Sequence, residues 1–182
     1  AAQVMVQEVD RLNRVISELL DFARPSDITP RPTDLGQLLP HSLELIRQDA
    51  AAKAIEIELK MEASECPVSI DADRFTQCLL NLYLNAIEAM PGGGRLMVHC
   101  ARDAAGGVVI TISDTGTGIP LSHLSEIFNP YFTTKPSGAG LGLAIVHKIV
   151  EGHRGRINVH SSTEGTAFTL NLPCIDRGAN DD

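Results

Sequence analysis

The sequence predicts an α+β fold: a mixed sheet with helices on one face, preceded by one further helix and a linker. Two observations predict it. Stretches such as "AIEIELKM", "RLMVHCAR", "GVVITISD", "GRINVHSS" and "TAFTLNLP" read as strands, several of them alternating apolar with polar residues. These strands lie mostly in adjacent pairs, with helix-like stretches before and between the pairs. Aromatic residues make up only 4% of the chain and Trp is absent, so the core has to be aliphatic.

The elements follow in order. "MVQEVDRLNRVISELLDFARP" places Met5, Val9, Leu12, Ile16, Leu19 and Ala23 at alternating spacings of four and three, the seam of a coiled coil or four-helix bundle. A lone helix of this length is marginal in water, so residues 1–24 call for a partner. The prolines of "ARPSDITPRPTD" break the helix, and 25–33 reads as a linker. "TDLGQLLPHSLELIRQDAAAK" is helix-like, with Pro40 in its first turns or at a kink. "AIEIELKM" and "PVSID" are strands, and "DADRFTQCLLNLYLNAIEAM" is a helix that stops at "PGGG". Two strands lead to a connection over 115–139 rich in Gly, Pro, Ser and Thr. A loop that long inside a compact domain is usually a lid or binding loop, with Phe128, Tyr131 and Phe132 as its anchors. A helix over 141–151 and two strands close the domain, 34–173, before a tail at 174–182.

A net charge of −8 argues against a nucleic-acid surface or contact with an anionic membrane, both of which need a basic face. No apolar run approaches the ~20 residues of a membrane span. Cys66, Cys78, Cys100 and Cys174 show no C-x-x-C spacing and read as reduced, buried hydrophobes in a reducing, cytoplasmic setting.

Three features could carry chemistry. Asn81, Asn85 and Glu88 form a polar stripe at i, i+4 and i+7 on an otherwise apolar helix. It faces solvent or bonds to a nearby loop, or it forms a cleft wall where an Asn oxygen meets Mg²⁺. In "ISDTGTGIP", Asp114 ends a strand and Gly116 and Gly118 follow. The pattern is an ordinary turn, or a carboxylate for an exocyclic amine with glycines that admit a flat base. "KPSGAGLGLAI" sets Gly138, Gly140 and Gly142 before a helix, with Lys135 upstream. It matches neither G-x-x-x-x-G-K-[ST] nor G-x-G-x-x-G, because Leu143 stands in the third glycine's place. A helix start of this kind is a flexible hinge or a phosphate cradle.

In this order the pieces resemble the ATP-binding catalytic domain of sensor histidine kinases, in the ATPase superfamily shared with gyrase, Hsp90 and MutL. "NLYLNAIEAM" resembles the N box, "DTGTGIP" the first glycine box, "IFNPYFTTK" the F box and "GAGLGLAI" the second glycine box. The likeness is closest to nitrogen-regulation-type and zinc-resistance-associated sensor kinases. It implies a Bergerat-type α/β sandwich preceded by the second helix of a dimerisation hairpin. Asn85 would coordinate Mg²⁺, and Asn81 would lie near the phosphates of ATP. Asp114 would take the adenine amino group, supported by Thr166 and the backbone around Gly116 and Gly118. Lys135 and the N–H groups of Gly140, Leu141 and Gly142, with Gly138 in the same loop, would hold the phosphates.

Two departures shape the expected activity. Hydrolysing members carry a Glu one turn before the metal Asn. Asn81 stands there and cannot serve as a general base. None of the six histidines, His41, His99, His123, His147, His153 and His160, fits the family's H box, and none has metal-binding spacing. They read as surface or satisfied core residues. The expectation is therefore a catalytic fragment that moves the γ-phosphoryl group of Mg-ATP to a histidine outside this chain, for relay to a response regulator of nitrogen-regulator type. The fragment would lie in the cytoplasm, the intact kinase would be a homodimer, and the parent would be anchored in the bacterial inner membrane. The alternative is a nucleotide-gated interaction module without phosphoryl transfer.

Overall fold

In the computed structural model of the protein, residues 2–23, 27–62, 66–135 and 138–173 are described. Residue 24, to which the first helix was expected to run, and Pro136, Ser137, Cys174 and the tail fall outside them.

The elements are α1 (Ala2–Ala23), β1 (Arg31–Asp34), α2 (Leu35–Glu44), α3 (Arg47–Ala52), β2 (Ile55–Met61), β3 (Pro67–Ile70), α4 (Ala72–Ala89), β4 (Gly94–Arg102), β5 (Val108–Asp114), a 3₁₀ turn at Leu121–His123, α5 (Gly142–Gly152), β6 (Arg156–Ser162) and β7 (Gly165–Leu172). Five strands form one mixed sheet in the order β2-β4-β5-β7-β6. β2 runs parallel to β4, and the remaining neighbours are antiparallel. This is the mixed sheet expected from the alternating segments.

The alternation also decides which face is covered. Leu96, Val98 and Cys100 of β4 stand opposite Asp114, Ile112 and Ile110 of β5, and Ile110 and Ile112 pair in turn with Leu170 and Phe168 of β7. All of these are buried, and α4 packs on this side of the sheet, with α2 and α5 reaching it at its edges. The other face carries residues such as Arg95, His99, Thr111 and Thr169, where Arg95 pairs with Glu56 and His99 with Glu62. Phe75, Cys78, Leu79, Leu82, Tyr83 and Ala86 form the buried side of α4.

Two expectations change in detail. The proline-rich stretch expected to be linker up to residue 33 carries β1, which pairs antiparallel with β3, Pro32 lying opposite Ser69. A two-stranded ribbon has free edges, where a proline's missing N–H costs no ladder bond. The helix-like stretch that follows is two helices. α2 runs four residues past Pro40, and the break comes at Leu45 and Ile46. Asp34 caps α2 by accepting from the Gly36 amide, and Asp71 caps α4 by accepting from that of Arg74.

Among the described cysteines, Cys66, Cys78 and Cys100 are free and buried. Burial pushes the Cys100 thiol up to about 12 and the Cys78 thiol up as well, so both behave as apolar groups. His153 is a satisfied core histidine, with Nδ1 against the Ile149 carbonyl and Nε2 accepting from the Asp71 amide. No helix among the described residues is long and apolar enough to cross a membrane.

Tyr83 is fully buried, with its hydroxyl 3.2 Å from that of Ser42, which also reaches the Leu39 carbonyl at 2.8 Å. Because Ser42 keeps that second bond, Tyr83→Phe is expected to cost only about 1 kcal/mol, read from the urea midpoint. A loss several times larger would mean that the pair organises the core.

α1 ends against the sheet domain. Lys148 of α5 donates to the Phe22 carbonyl at 2.9 Å, and its ammonium lies 5.5 Å from the Phe22 ring centroid. Along the rest of α1 the seam faces outward: Met5 is 71% exposed and Leu19 40%. The heptad positions form the helix expected of them and stay uncovered.

Candidate functional site

The site grows from the ends of β5, α4 and α5. Alternation along β5 puts Asp114 on the same face as Ile110 and Ile112, toward the helices, and its side chain is buried. Oδ1 accepts from the amides of Gly116 at 2.8 Å and Thr166 at 3.3 Å. Among the described residues both bonds fall on this one oxygen, which leaves Oδ2 for an outside donor. Burial pushes the carboxyl above its ordinary range, only partly offset by the two amides.

The glycines beside Asp114 are dictated by close approach. Gly118 has φ +73°, and a Cβ there would lie 1.8 Å from the Ser162 carbonyl oxygen. At Gly116 a Cβ would meet the Ala89 carbonyl oxygen at 2.6 Å, and the neighbouring Thr117 amide donates to that same oxygen. The loop thus runs along the end of α4. Thr166, also buried, lies 2.9 Å from Ser161 through its hydroxyl, and Ser161 accepts from the Ile119 amide at 2.7 Å. Ser161 was not among the expected site residues. Its signal was a small polar side chain at an inward position of β6.

On α4, Asn81 and Asn85 are half-buried and Glu88 is exposed. Lys135, from the long connection, donates to Asn85 Oδ1 at 3.1 Å and forms a close ion pair with Glu88. The structure therefore brings Lys135 to the amide stripe rather than leaving it in solvent. Among the described residues Asn81 Nδ2 is buried without a hydrogen-bond partner. An orphaned buried amide costs about 1–3 kcal/mol, and that cost is recovered when a ligand accepts from it.

Across from this stripe starts α5. Gly140, at φ +71°, turns the chain against Tyr131, whose amide donates to the Gly140 carbonyl. Leu141, fully buried, precedes the helix and supplies no side-chain cap, so the first-turn amides lack both intrahelical acceptors and a capping side chain from that residue. Gly142 is informative because packing does not require a glycine there. Across from it, the one neighbour within 4 Å of a Cβ among the described residues would be Asn81 Oδ1 at 3.9 Å, so its absence keeps open the gap between the uncapped helix start and the amide stripe. Gly138 lies further out, in a turn beside Thr133 and Lys135. In the long connection, Ile127 is buried and Phe128 packs against His147 and Phe168, while Phe132 stacks edge-on with His123. Tyr131 is 65% exposed, so of the three expected anchors its ring is the one left in solvent.

Residues 70–175 match the family model described as histidine kinase-, DNA gyrase B-, and HSP90-like ATPase. The chain belongs to this ATPase family. Within this family of ATPases, the chain is 48% identical over 173 residues to the sensor histidine kinase ZraS of Escherichia coli strain K12. It is 34% identical to the signal transduction histidine-protein kinase AtoS of the same strain. The ZraS match covers 94% of this chain and 37% of the relative, so the chain spans little more than a third of the protein it resembles. Among solved structures, full-length ShkA in complex with AMPPNP superposes with a TM-score of 0.84 at 28% identity, covering 94% of this chain and 37% of that one. The histidine kinase ThkA in complex with the response regulator protein TrrA gives 0.79 at 26%, covering 93% and 49%. Family and fold together support nucleotide binding.

Proposed function

We propose that the chain is the catalytic part of a two-component sensor histidine kinase: it binds Mg-ATP and presents the γ-phosphoryl group to a histidine outside these residues. One observation carries this reading. Asn81 Nδ2, buried and unpaired, sits on a stripe that faces the uncapped first turn of α5 across a gap kept open by Gly142. Donors without acceptors on both walls suit a bound polyanion.

In this reading Asp114 accepts from the adenine amino group through Oδ2. Gly116 and Gly118 let the base lie against the backbone, and Thr166 supports it from β7. The amides of Gly140, Leu141 and Gly142, Asn81 and Lys135 hold the phosphates, with Gly138 turning the chain between Lys135 and the helix. Asn85 offers Mg²⁺ a hard oxygen. When bound, the metal neutralises charge that develops on the transferred group. The chain's own part is positioning: the acceptor imidazole nitrogen attacks phosphorus as the bond to the β–γ bridging oxygen breaks, and ADP leaves.

Asn81, in the place of a hydrolytic Glu, gives the site no base for activating water. Release of phosphate without an acceptor is therefore expected to stay near background. The exposed seam of α1 supports pairing with a second copy in the intact kinase. The likeness to ThkA, solved in complex with a response regulator protein, supports a response regulator as the onward acceptor; its nitrogen-regulator type and the membrane anchoring of the parent belong to this reading as what the sequence resemblance implies.

Calorimetric titration with AMPPNP, with Mg²⁺ and then with excess EDTA, tests the binding step. Binding is expected in both arms and tighter with Mg²⁺. Lys135→Met should weaken both by roughly tenfold, the loss of one charge-assisted bond. An unchanged affinity would remove Lys135 from the phosphate site. Labelled ATP with a separate dimerisation hairpin carrying the acceptor histidine tests transfer: the hairpin should take label and this chain should not.

A further inference from the structure

We propose that Glu88 is a second protein ligand of the divalent cation, beside Asn85, and that the Lys135 ammonium holds the cation's place while no nucleotide is bound. The proposal rests on the Mg-ATP reading above and deepens it.

The geometry comes first. Asn85 and Glu88 are one helical turn apart on α4, so their side chains point the same way, in line with Asn81. Lys135 Nζ lies against both, 3.1 Å from Asn85 Oδ1 and in a close ion pair with Glu88. An amide oxygen and a carboxylate oxygen thus already converge on one positive charge. These are the hard oxygen donors that Mg²⁺ takes, commonly one or two from protein with phosphate and water completing the shell. Among the described residues no group of three His, Cys, Asp or Glu could hold a metal by itself. Such a seat accordingly waits for a cation that brings its own phosphate ligands.

Charge makes the same demand. Lys135 cannot neutralise Glu88 and hold the phosphates at once. If it swings to the nucleotide, Glu88 is left as an unpaired anion beside a polyphosphate. That arrangement is repulsive unless a cation stands between them. A divalent ion in the place vacated by the ammonium bridges both, and it accounts for a carboxylate on a wall that must receive an anion. Asp114, the other carboxylate of the site, is committed through Oδ1 to Gly116 and Thr166 and, in the Mg-ATP reading, through Oδ2 to the adenine amino group.

The test uses the whole chain and Glu88→Gln, which keeps the shape of a side chain that is 40% exposed. AMPPNP affinity is measured with Mg²⁺ and with excess EDTA, and Mn²⁺ binding to the AMPPNP complex is read by electron paramagnetic resonance. The variant is expected to bind AMPPNP more tightly in EDTA, where the repulsion and the competing Lys135 pair are both gone, to lose about tenfold of the gain that Mg²⁺ confers, and to bind Mn²⁺ correspondingly more weakly, as removal of one ligand charge should do. A full Mg²⁺ gain with unchanged Mn²⁺ binding overturns the proposal. So does tighter AMPPNP binding by equal factors in both arms, which would make Glu88 a mere restraint on Lys135. If the parent chain itself binds in neither arm, the nucleotide reading fails, and this inference with it.

Discussion

Asp114→Asn should lower the affinity for AMPPNP by about a hundredfold while leaving the fold as stable as before or more so. The direction follows from where the two backbone donors point. The amides of Gly116 and Thr166 both reach one oxygen of residue 114, so an Asn there must turn its carbonyl oxygen to them. Its NH₂ group then faces the site, where the adenine amino group would meet a donor instead of an acceptor. A lost charge-assisted bond and an unpaired donor together are worth about 3 kcal/mol, two decades in affinity. The variant keeps both internal bonds and removes a buried charge, so its unfolding midpoint should not fall.

Acidification should mimic the substitution. Burial raises the folded-state pKa of Asp114 above its ordinary value. Nucleotide affinity should therefore fade at a pH above the usual carboxylate range, because the protonated group turns donor. Stability moves the opposite way. A carboxyl with a raised folded pKa contributes stability in its protonated form, and that contribution is lost as pH rises through the folded value. Between the ordinary and raised values, this group favours the fold as the pH falls while binding weakens. Retained AMPPNP affinity in the variant, or affinity flat down to the ordinary range, would break the adenine assignment.

Gly165→Ala should cost about 3–5 kcal/mol, the sum of backbone strain and overpacking against main chain. Gly165 sits at φ +137° where β7 begins, and a Cβ there would lie 1.9 Å from the Asp114 carbonyl oxygen. That atom is backbone and cannot move aside as a side-chain tip would, so the β6–β7 turn has to open. Gly92→Ala is the comparison. Nothing among the described residues lies within 4 Å of a Cβ at that position, and the change should stay within about 0.5 kcal/mol. Equal midpoints for the two variants in urea would show that the turn at Gly165 relaxes freely.

Much of this molecule could be read before its coordinates, for reasons that differ by element. The sheet was legible because its strands are covered on one side only. In β5 the pattern of "VVITISD" separates inward Ile110 and Ile112 from half-exposed Thr111 and Ser113, and carries Asp114 inward with them. The stripe Asn81, Asn85, Glu88 was legible because polar residues at helical spacing stand out on an apolar helix. β1 was not, because Pro32 reads as a breaker and only the pairing with β3 makes it a strand. The break at Leu45 and Ile46 leaves no mark, since both residues fit a continuing helix. The meeting of Lys135 with Glu88 depends on how the long connection folds back over α4, a contact across 47 positions that no local pattern encodes. The need for Gly165 was equally hidden, because it arises from a neighbouring strand's carbonyl.

The crossover from β2 to β4 has a kinetic consequence. These strands are parallel, and α4 lies within the connection between them, capped at its start by Asp71 and held at its end by the Lys53 ammonium on the Ile87 carbonyl. α4 is thus clamped at both ends, whereas Lys135 reaches it through side-chain bonds alone. Equilibrium selectivity among nucleotides should then reside in the clamped helix and in Asp114. Exchange should be timed by the connection: changes within 121–135 that spare Lys135 ought to alter association and dissociation rates together, with little effect on their ratio.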